Sequence, residues 1–318
     1  MAFVFKDFPA PRDDLRRDVL SGLAASPKSI PPKYFYDEAG CRLFESICAQ
    51  PEYALTRTEG ELLRTRLDAI AAAVGPVDCI VEPGAGECAK VRLLLDALRP
   101  AHLVVLDIAG GPLSAAAESL SLNHPGVAIT ALGMDFIHDL EAASSYLPSG
   151  RRLVFYPGSS IGNFAPEAAT RLLARFRALA GPDGQLLIGF DLKKDPQRLH
   201  RAYNDDAGVT AAFNLNLLER LNRELGADFD ASGFRHYAFY NPTAGRVEMH
   251  LVSLAEQDVM VDGQRFHFAL GETLHTENSY KFRRDEFSAL AQDAGWALAA
   301  EWELEGFAIQ LHRAETGH

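Results

Sequence analysis

The chain has 318 residues, of which 47% are hydrophobic and 23% are charged, and its formal net charge is −12 at pH 7. A chain of this length can build one large hydrophobic core or two modest ones. The negative charge argues against a nucleic-acid partner, because no basic stripe offsets it against a phosphate backbone. We therefore expect a protein that acts on small molecules.

No apolar run reaches the ~18 residues that a membrane span needs, and the N-terminal residues MAFVFKDF lack the apolar core of a signal peptide. We expect a cytoplasmic monomer without a membrane partner. The four cysteines form no CxxC pair, which favours reduced thiols. The ten histidines include no HxxxH or similar spacing, so the sequence predicts no metal site.

The first sixty residues are predicted to be largely helical. Apolar spacing predicts helices at residues 12–25 and 41–49, on either side of the aromatic-rich segment PPKYFYDEAG. The sequence Thr56-x-x-Glu59 is typical of a capping box that opens a third helix. We expect the phenylalanines here to form a small satellite core, whereas the tyrosines, each with a polar tip, remain open to a functional role.

Residues 77–107 predict a strand, a glycine loop, a helix and a second strand that ends at Asp107. This order is typical of the nucleotide-binding half of a doubly wound fold, in which an acid at a strand end binds ribose hydroxyls. Strands are also predicted at 127–131, 153–156 and 185–190, with helices at 111–122 and 166–179. Five strands that alternate with helices favour a parallel sheet, and the predicted fold class is α/β, Rossmann-like.

The pattern changes after residue 195. A helical region at 199–225 is expected to break near Gly208, and residues 234–268 alternate with a period of two, with a hairpin turn at Asp262-Gly263. This segment is predicted to be an α+β insertion. The last two strands, at 296–302 and 307–312, are expected to return to the first sheet.

The glycine loop alone leaves the cofactor open, because Gly84-x-Gly86-x-x-Ala89 matches the dinucleotide fingerprint only loosely. Three features favour S-adenosylmethionine over a nicotinamide. Glu82 directly precedes the glycines, Asp135 and Phe136 follow the third strand, where they suit an adenine, and a helix pair precedes the first strand. A nicotinamide oxidoreductase and a catalytically silent binding protein remain alternatives.

The chain contains several distinctive motifs in a fixed order. They are PKYFYDEAG, PEY-x-x-TRTE, PGSSIGNF, DLKKD-x-x-RL-x-RAYND-x-x-GVTAAFN-x-N, FDASGF, VEMHL and TENSYKF. Together they resemble the L-histidine Nα-methyltransferase family of ergothioneine biosynthesis. The resemblance implies a class I methyltransferase core at residues 62–195 plus 284–318. It also implies a second, α+β substrate-binding domain at 1–61 plus 196–283.

The resemblance also implies two sets of site residues. The cofactor contacts fall on Tyr36, Gly84, Lys90, Asp107, Asp135 and Phe136. The contacts to L-histidine fall on Tyr53, Asn163, Tyr203, Met249, Glu277 and Ser279, with Gly158 and Thr210 nearby. The loop Gly-Ala-Gly-Glu-Cys-Ala-Lys departs from the family pattern, and the departure bears on cofactor affinity.

The implied reaction is three successive methyl transfers from S-adenosylmethionine to the α-amine of histidine. Glu277 and Ser279 lie two apart on an extended segment and are expected to grip one imidazole edge. Tyr53 is the candidate catalytic residue at the amine, although a phenol of ordinary pKa ~10 is a poor base and water is the alternative. A methyltransferase for another amino acid or amine remains the alternative function.

Overall fold

A computed structural model describes residues 3–8 and 12–315, with only the backbone at residues 12 and 13. The helices are α1 (Arg12–Ala24), α2 (Glu38–Ala49), α3 (Leu55–Val74), α4 (Val91–Leu98), α5 (Gly110–Asn123), α6 (Phe136–Asp139), α7 (Pro166–Ala180), α8 (Pro196–Ala202), α9 (Val209–Leu225) and α10 (Arg284–Asp293). Short 3₁₀ turns are formed by Pro32–Phe35, Leu140–Tyr146, Ser160–Asn163 and Ala231–Gly233.

The strands complete the secondary structure. They are β1 (Phe3–Asp7), β2 (Lys28–Ser29), β3 (Cys79–Pro83), β4 (His102–Asp107), β5 (Ala128–Gly133), β6 (Arg152–Tyr156), β7 (Gln185–Asp191), β8 (Phe234–Asn241), β9 (Arg246–Ser253), β10 (Gln257–Val261), β11 (Gln264–Phe268), β12 (Thr273–Tyr280), β13 (Trp296–Leu304) and β14 (Phe307–Ala314).

The chain forms two compact units. Among the described residues, the core unit comprises residues 3–8, 55–193 and 281–315, and the second unit comprises residues 12–54 and 194–280. This division differs from the expected one at the N-terminus, because β1 joins the large sheet and the whole of α3 belongs to the core unit. Residues 1–2, 9–11 and 316–318, which the expected boundaries also included, lie outside the described part of the chain.

The core unit contains one sheet with the strand order β1-β5-β4-β3-β6-β7-β14-β13. The five predicted strands, β3 to β7, are parallel to one another, which confirms the α/β prediction. β14 runs antiparallel between β7 and β13, so the predicted return of the last two strands is also confirmed. β3 and β7 are buried at every residue, as expected for central strands covered on both faces.

The second unit contains a four-stranded sheet, in the order β2-β12-β9-β8, and the separate hairpin β10-β11. The hairpin turn has φ of +49° at Asp262 and +77° at Gly263, which matches the two positive φ angles of a type I′ turn. The predicted helix break is confirmed, because Gly208 has φ of +70° and directly precedes α9. A Gly at this position adopts the left-handed conformation without steric cost.

The capping-box prediction for α3 is wrong. The helix begins at Leu55, so Thr56 lies within its first turn. The Glu59 carboxylate does not cap the helix, because its two oxygens contact Gly158 N and Lys90 Nζ instead. Glu59 lies on the same helix face as Leu62 and Leu63 and is fully buried with them.

Two observations concern the cellular context. No helix among the described residues is long and apolar enough to cross a membrane. All four cysteines are free thiols, which agrees with the predicted reduced state. Cys79 and Cys88 are buried, and burial raises the pKa of the Cys79 thiol to about 12.

Replacement of Gly189 by Ala should destabilise the core unit. A Cβ at this position would collide with Glu59 Oε1 and would lie 3.0 Å from Cζ of Phe307. We expect the free energy of unfolding in urea to fall by about 1–3 kcal/mol, the usual cost of overpacking. Gly111→Ala is the control, because a Cβ there meets no atom within 4 Å. Equal stability of the two variants would contradict this packing argument.

Candidate functional site

The predicted site residues are divided between the two units: Tyr36 of the cofactor set lies in the second unit, and Asn163 and Gly158 of the histidine set lie in the core unit. In the core unit, Asp107 follows the last buried residue of β4, and its carboxylate holds two loops. Its Oδ2 accepts a hydrogen bond from Gly86 N at 2.8 Å, and its Oδ1 accepts one from Ala109 N at 2.9 Å. Burial raises the pKa of Asp107, although these backbone donors oppose the shift. The acid is thus fixed beside the glycine loop, where the sequence predicted a ribose contact.

The glycine loop has an aromatic neighbour. Gly84 has φ of +69°, a conformation that glycine adopts at no steric cost. The Phe136 ring edge lies 3.6 Å from the position of a Cβ on Gly84, and Phe136 also contacts Tyr156 edge to face. Asp135 is buried and accepts a hydrogen bond from Ile137 N at 3.0 Å, which orients its side chain at the start of α6. The structure therefore brings Gly84 and Phe136 together.

A buried carboxylate connects the glycine loop to the segment after β6. Glu59 Oε2 lies 2.5 Å from Lys90 Nζ, and Glu59 Oε1 accepts a hydrogen bond from Gly158 N at 2.8 Å. Gly158 has φ of +83°, and a Cβ on it would lie 3.2 Å from Lys90 Nζ. Sequence reasoning missed Glu59 as a site residue. The available signal was an acid on the apolar face of a helix, next to Leu62 and Leu63.

Asn163 ends the 3₁₀ turn Ser160–Asn163 that follows β6 and is half-buried. Ser159, at φ +57°, anchors this segment, because its Oγ accepts a hydrogen bond from Asp191 N at 3.0 Å. The carboxyl ends of adjacent parallel strands meet at one edge of a sheet. Asn163 and Gly158 therefore belong to the same edge of the core unit as Asp107 and Asp135.

The second unit places its predicted residues in an aromatic cluster. Tyr53 contacts Phe44 and Tyr203 edge to face, with ring centroids 6.5 and 6.1 Å apart. Phe44 in turn contacts Tyr36 at 5.8 Å. The expectation of a satellite core holds for Phe35, which is fully buried, whereas Phe44 is only half-buried among the tyrosines.

Strands β9 and β12 supply the polar residues of this unit. Glu277 pairs directly with Met249 across the two strands, and Ser279 lies two residues further along β12, on the same face as Glu277. Tyr203 donates a hydrogen bond from its hydroxyl to Ser279 Oγ at 2.7 Å. Glu277 and Ser279 are both buried. The structure thus brings together four of the predicted histidine contacts.

A β-bulge sets the direction of Glu277. The register of β12 against β9 shifts between His275 and Glu277. The intervening residue, Thr276, is buried and donates from Oγ1 to Asn214 Oδ1 at 2.8 Å. A bulge of this kind turns the following side chain toward a new direction and is common next to functional sites.

Thr210 lies in the first turn of α9. The N-cap residue, Gly208, has no side chain that could cap the helix, and the Asp205 carboxylate caps it instead. Asp205 accepts hydrogen bonds from Thr210 N at 2.8 Å and from Val209 N at 2.7 Å. Burial by itself raises the pKa of Asp205, but these hydrogen-bond donors outweigh it and hold the pKa below its usual value. Thr210 is therefore buried and fixed by the start of the helix.

The environment of Tyr53 bears on its predicted catalytic role. Burial raises the pKa of its phenol well above 10, and Tyr203 and Glu277 raise it further. A phenol in this state is neutral at physiological pH and can donate or accept a hydrogen bond, but it cannot act as a base.

The parallel sheet, the glycine loop and the acids at successive strand ends define a nucleotide-binding methyltransferase fold. The sequence profile of one family, described as histidine-specific methyltransferase, SAM-dependent, matches residues 15–316. The chain belongs to this family, and S-adenosylmethionine is therefore its cofactor.

Curated relatives agree with the family assignment. The chain is 44% identical over 294 residues to histidine N-alpha-methyltransferase of Mycolicibacterium smegmatis, a match that covers 91% of this chain and 90% of that protein. It is 43% identical to the protein of the same name from Mycobacterium tuberculosis, over 93% and 94% of the two chains. Ergothioneine biosynthesis protein 1 of Neurospora crassa is 31% identical, over 87% of this chain and 32% of that protein.

Replacement of Glu59 by Gln should weaken cofactor binding, because it removes the negative charge that holds Lys90 while an amide oxygen can still accept from Gly158 N. We expect the dissociation constant for S-adenosylhomocysteine, measured by calorimetry, to rise about 10-fold. This change corresponds to a loss of ~1.4 kcal/mol of binding free energy. Glu61→Gln, at an exposed position of the same helix, is the matched control.

A second variant separates the charge effect from misfolding. The double variant Glu59→Gln/Lys90→Gln leaves no uncompensated charge, so it should be as stable to heat as the parent and still bind the cofactor weakly. Parent-like affinity in a folded Glu59→Gln variant would show that the Glu59–Lys90 pair does not position the cofactor residues.

Proposed function

We propose that this protein transfers three methyl groups from S-adenosylmethionine to the α-amine of L-histidine and produces the trimethylated betaine of ergothioneine biosynthesis. The proposal is supported by membership of the histidine-specific family and by relatives with that name. The structural observation that supports it best is the buried pair of Glu277 and Ser279, with the Tyr203 hydroxyl donating to Ser279 Oγ and Tyr53 packed against Tyr203.

The proposed cofactor residues are Tyr36, Gly84, Lys90, Asp107, Asp135 and Phe136. The donor set fits S-adenosylmethionine: Asp107 offers a carboxylate to ribose hydroxyls, and the backbone at Gly84 leaves room for close approach. In this proposal Asp135 accepts from an adenine amino group, and Phe136 offers a ring face. When bound, S-adenosylmethionine supplies an electrophilic methyl group on a sulfonium.

The proposed substrate residues divide by chemistry. Asn163 supplies a neutral amide to the α-carboxylate, and Gly158 and Thr210 are further candidate contacts. Glu277 accepts from an imidazole N–H and Ser279 bonds the same edge of the ring, while Tyr203 fixes the Ser279 hydroxyl. Met249, which pairs with Glu277, packs against the ring. A substrate without an N–H at this position loses the hydrogen bond to Glu277 and is discriminated against.

The amine must be unprotonated before each transfer. Because the pKa of Tyr53 lies well above 10, this phenol orients the amine by a hydrogen bond, and water takes the proton. The edge-to-face rings of Tyr53, Phe44 and Tyr203 can accept a quaternary ammonium by cation–π attraction. Transfer itself then depends on position, with the amine held close to the methyl group.

Mass spectrometry of the full-length protein with S-adenosylmethionine and L-histidine should show mono-, di- and trimethylated histidine in succession. The same assay with other free amino acids is the control and should show turnover at least 100-fold lower, since a missing hydrogen-bond partner costs several kcal/mol. Faster turnover of another amino acid would move the substrate assignment to that compound.

Replacement of Glu277 by Ala should raise KM for histidine and reduce the preference for histidine over other amino acids, because the buried carboxylate that demands an N–H is gone. We expect kcat/KM for histidine to fall at least 100-fold, a loss typical of removing one partner of a charged hydrogen bond. Glu256→Gln, at an exposed residue between β9 and β10, is the control. Unchanged selectivity in the Glu277 variant would contradict its proposed contact.

Replacement of Tyr53 by Phe tests the proton transfer. Because a phenol with a raised pKa does not act as a base, kcat should fall by only about 10-fold, as expected for the loss of one orienting hydrogen bond. The pH profile of kcat should keep its shape. Loss of a titration in this profile would instead identify Tyr53 as the base. Tyr237→Phe, at an exposed residue of β8, is the matched control.

A further inference from the structure

Three potential metal ligands lie on the reverse face of the strands that carry Met249 and Glu277. Glu248 and His250 are two residues apart on β9, so they point to the same face, and Met249 between them points to the other. His275 on β12 lies directly opposite His250 in the strand register. The alternation of the two strands therefore brings two imidazoles and a carboxylate together.

The distances within this cluster suit a small ion. One ligand atom from each of the three residues lies within 4.8 Å of the others, and His250 Nε2 is 3.2 Å from Glu248 Oε2. A tetrahedral ion with bonds of ~2.0–2.1 Å to nitrogen and oxygen separates neighbouring ligand atoms by roughly 3.3 Å. The ring centroids of His250 and His275 are 5.0 Å apart, so a modest closure brings the third ligand into range.

Neighbouring groups already orient the ligands. Glu248 Oε1 accepts hydrogen bonds from Arg246 Nε at 2.9 Å and from Asn241 Nδ2 at 3.0 Å, so Oε2 is the oxygen that faces His250. His275 Nε2 lies 2.9 Å from Asn278 Oδ1, which fixes the ring orientation. Such outer contacts are typical of metal sites.

The electrostatics of the cluster have two opposing parts. The Glu248 carboxylate supplies a negative charge that favours a cation, and each imidazole offers one ring nitrogen. The His250 Nδ1 atom is buried and has no hydrogen-bond partner among the described residues. The charge of Arg246 opposes a cation, but this guanidinium is also held by Tyr280 through a hydrogen bond of 2.6 Å and lies on the Oε1 side of the carboxylate.

We infer that Glu248, His250 and His275 form a binding site for one divalent transition-metal ion of the zinc class. Water completes the coordination. The ion joins β9 to β12, the two strands whose other face carries Met249, Glu277 and Ser279, and so stiffens the strands that present these residues. The sequence predicted no metal because an HxxxH spacing describes ligands on a helix. Ligands on paired strands follow an i, i+2 spacing and a cross-strand register instead.

Zn²⁺ titration of the chelator-treated full-length protein tests this inference by calorimetry, without histidine, because free histidine itself binds zinc. We expect saturable binding of one ion per chain and a rise in Tm. Co²⁺ in place of Zn²⁺ should give visible absorption of a site with nitrogen ligands. The inference would be overturned if Zn²⁺ showed no saturable binding. It would also be overturned if variants that lack one of the three ligands still bound one ion per chain with the affinity of the parent.

The variants are His275→Gln and Glu248→Gln, each expected to weaken Zn²⁺ binding at least 10-fold, the usual scale for the loss of a metal-site contact. His267→Gln is the matched control, because His267 forms an acid–histidine pair with Asp258 at 3.1 Å on the exposed hairpin, and no described residue completes a three-ligand cluster with them. Its affinity should equal that of the parent. Glu248 also pairs with Arg246, so His275→Gln remains the decisive variant if Glu248→Gln does not fold. Parent-like affinity in folded His275→Gln, or a loss confined to His267→Gln, would refute the site.

Discussion

The buried carboxylate of Glu59 is the constraint on which the cofactor side of the core unit depends. An unpaired charge in the interior costs several kcal/mol, so the fold must supply a cation and a donor to this side chain. Lys90 supplies the cation and Gly158 the backbone N–H, while Gly189 leaves the space that the carboxylate occupies. Lys90 precedes α4 after the glycine loop, and Gly158 follows β6. One helical side chain therefore fixes two loops at the same edge of the sheet.

Strand alternation organises the second unit in a comparable way. β9 and β12 have two faces with different chemistry, because successive side chains point in opposite directions. One face presents Met249 and Glu277, and the other presents Glu248, His250 and His275. The bulge at Thr276 adds one residue to β12 between His275 and Glu277. The side chains of His275 and Glu277 therefore point to opposite faces of the sheet, although the two residues are only two apart in the chain. A shift of register by one residue would exchange these roles.

Most features that depend on local pattern could be predicted from the sequence, whereas most contacts between residues distant in the chain could not. The five parallel strands, the break at Gly208 and the hairpin turn at Asp262 each follow from apolar spacing or from glycine chemistry within a few residues. Strand β1 was not predicted, because it is a short edge strand that is stabilised by pairing with β5, more than a hundred residues away in the chain. The contacts of Glu59 were not predicted for a similar reason, because its partners, Lys90 and Gly158, are distant in sequence. A capping box with Thr56, three residues away, was the simpler interpretation. The positions of the site residues in the chain came from motif resemblance, whereas their contacts with one another required the fold.

The distribution of charge around Tyr53 suits the proposed reaction in a way that a conventional base would not. During three methylations the amine changes from neutral to permanently cationic, so a carboxylate at the amine would hold the product increasingly tightly. A neutral phenol with aromatic neighbours interacts with both charge states, weakly with each, and therefore changes affinity little between successive rounds. Glu277 binds the imidazole in this scheme, and after burial its charge is one of the causes that raise the pKa of the Tyr53 phenol. In the proposed reaction the same carboxylate selects the substrate, while burial is the main reason that the pKa of Tyr53 is raised.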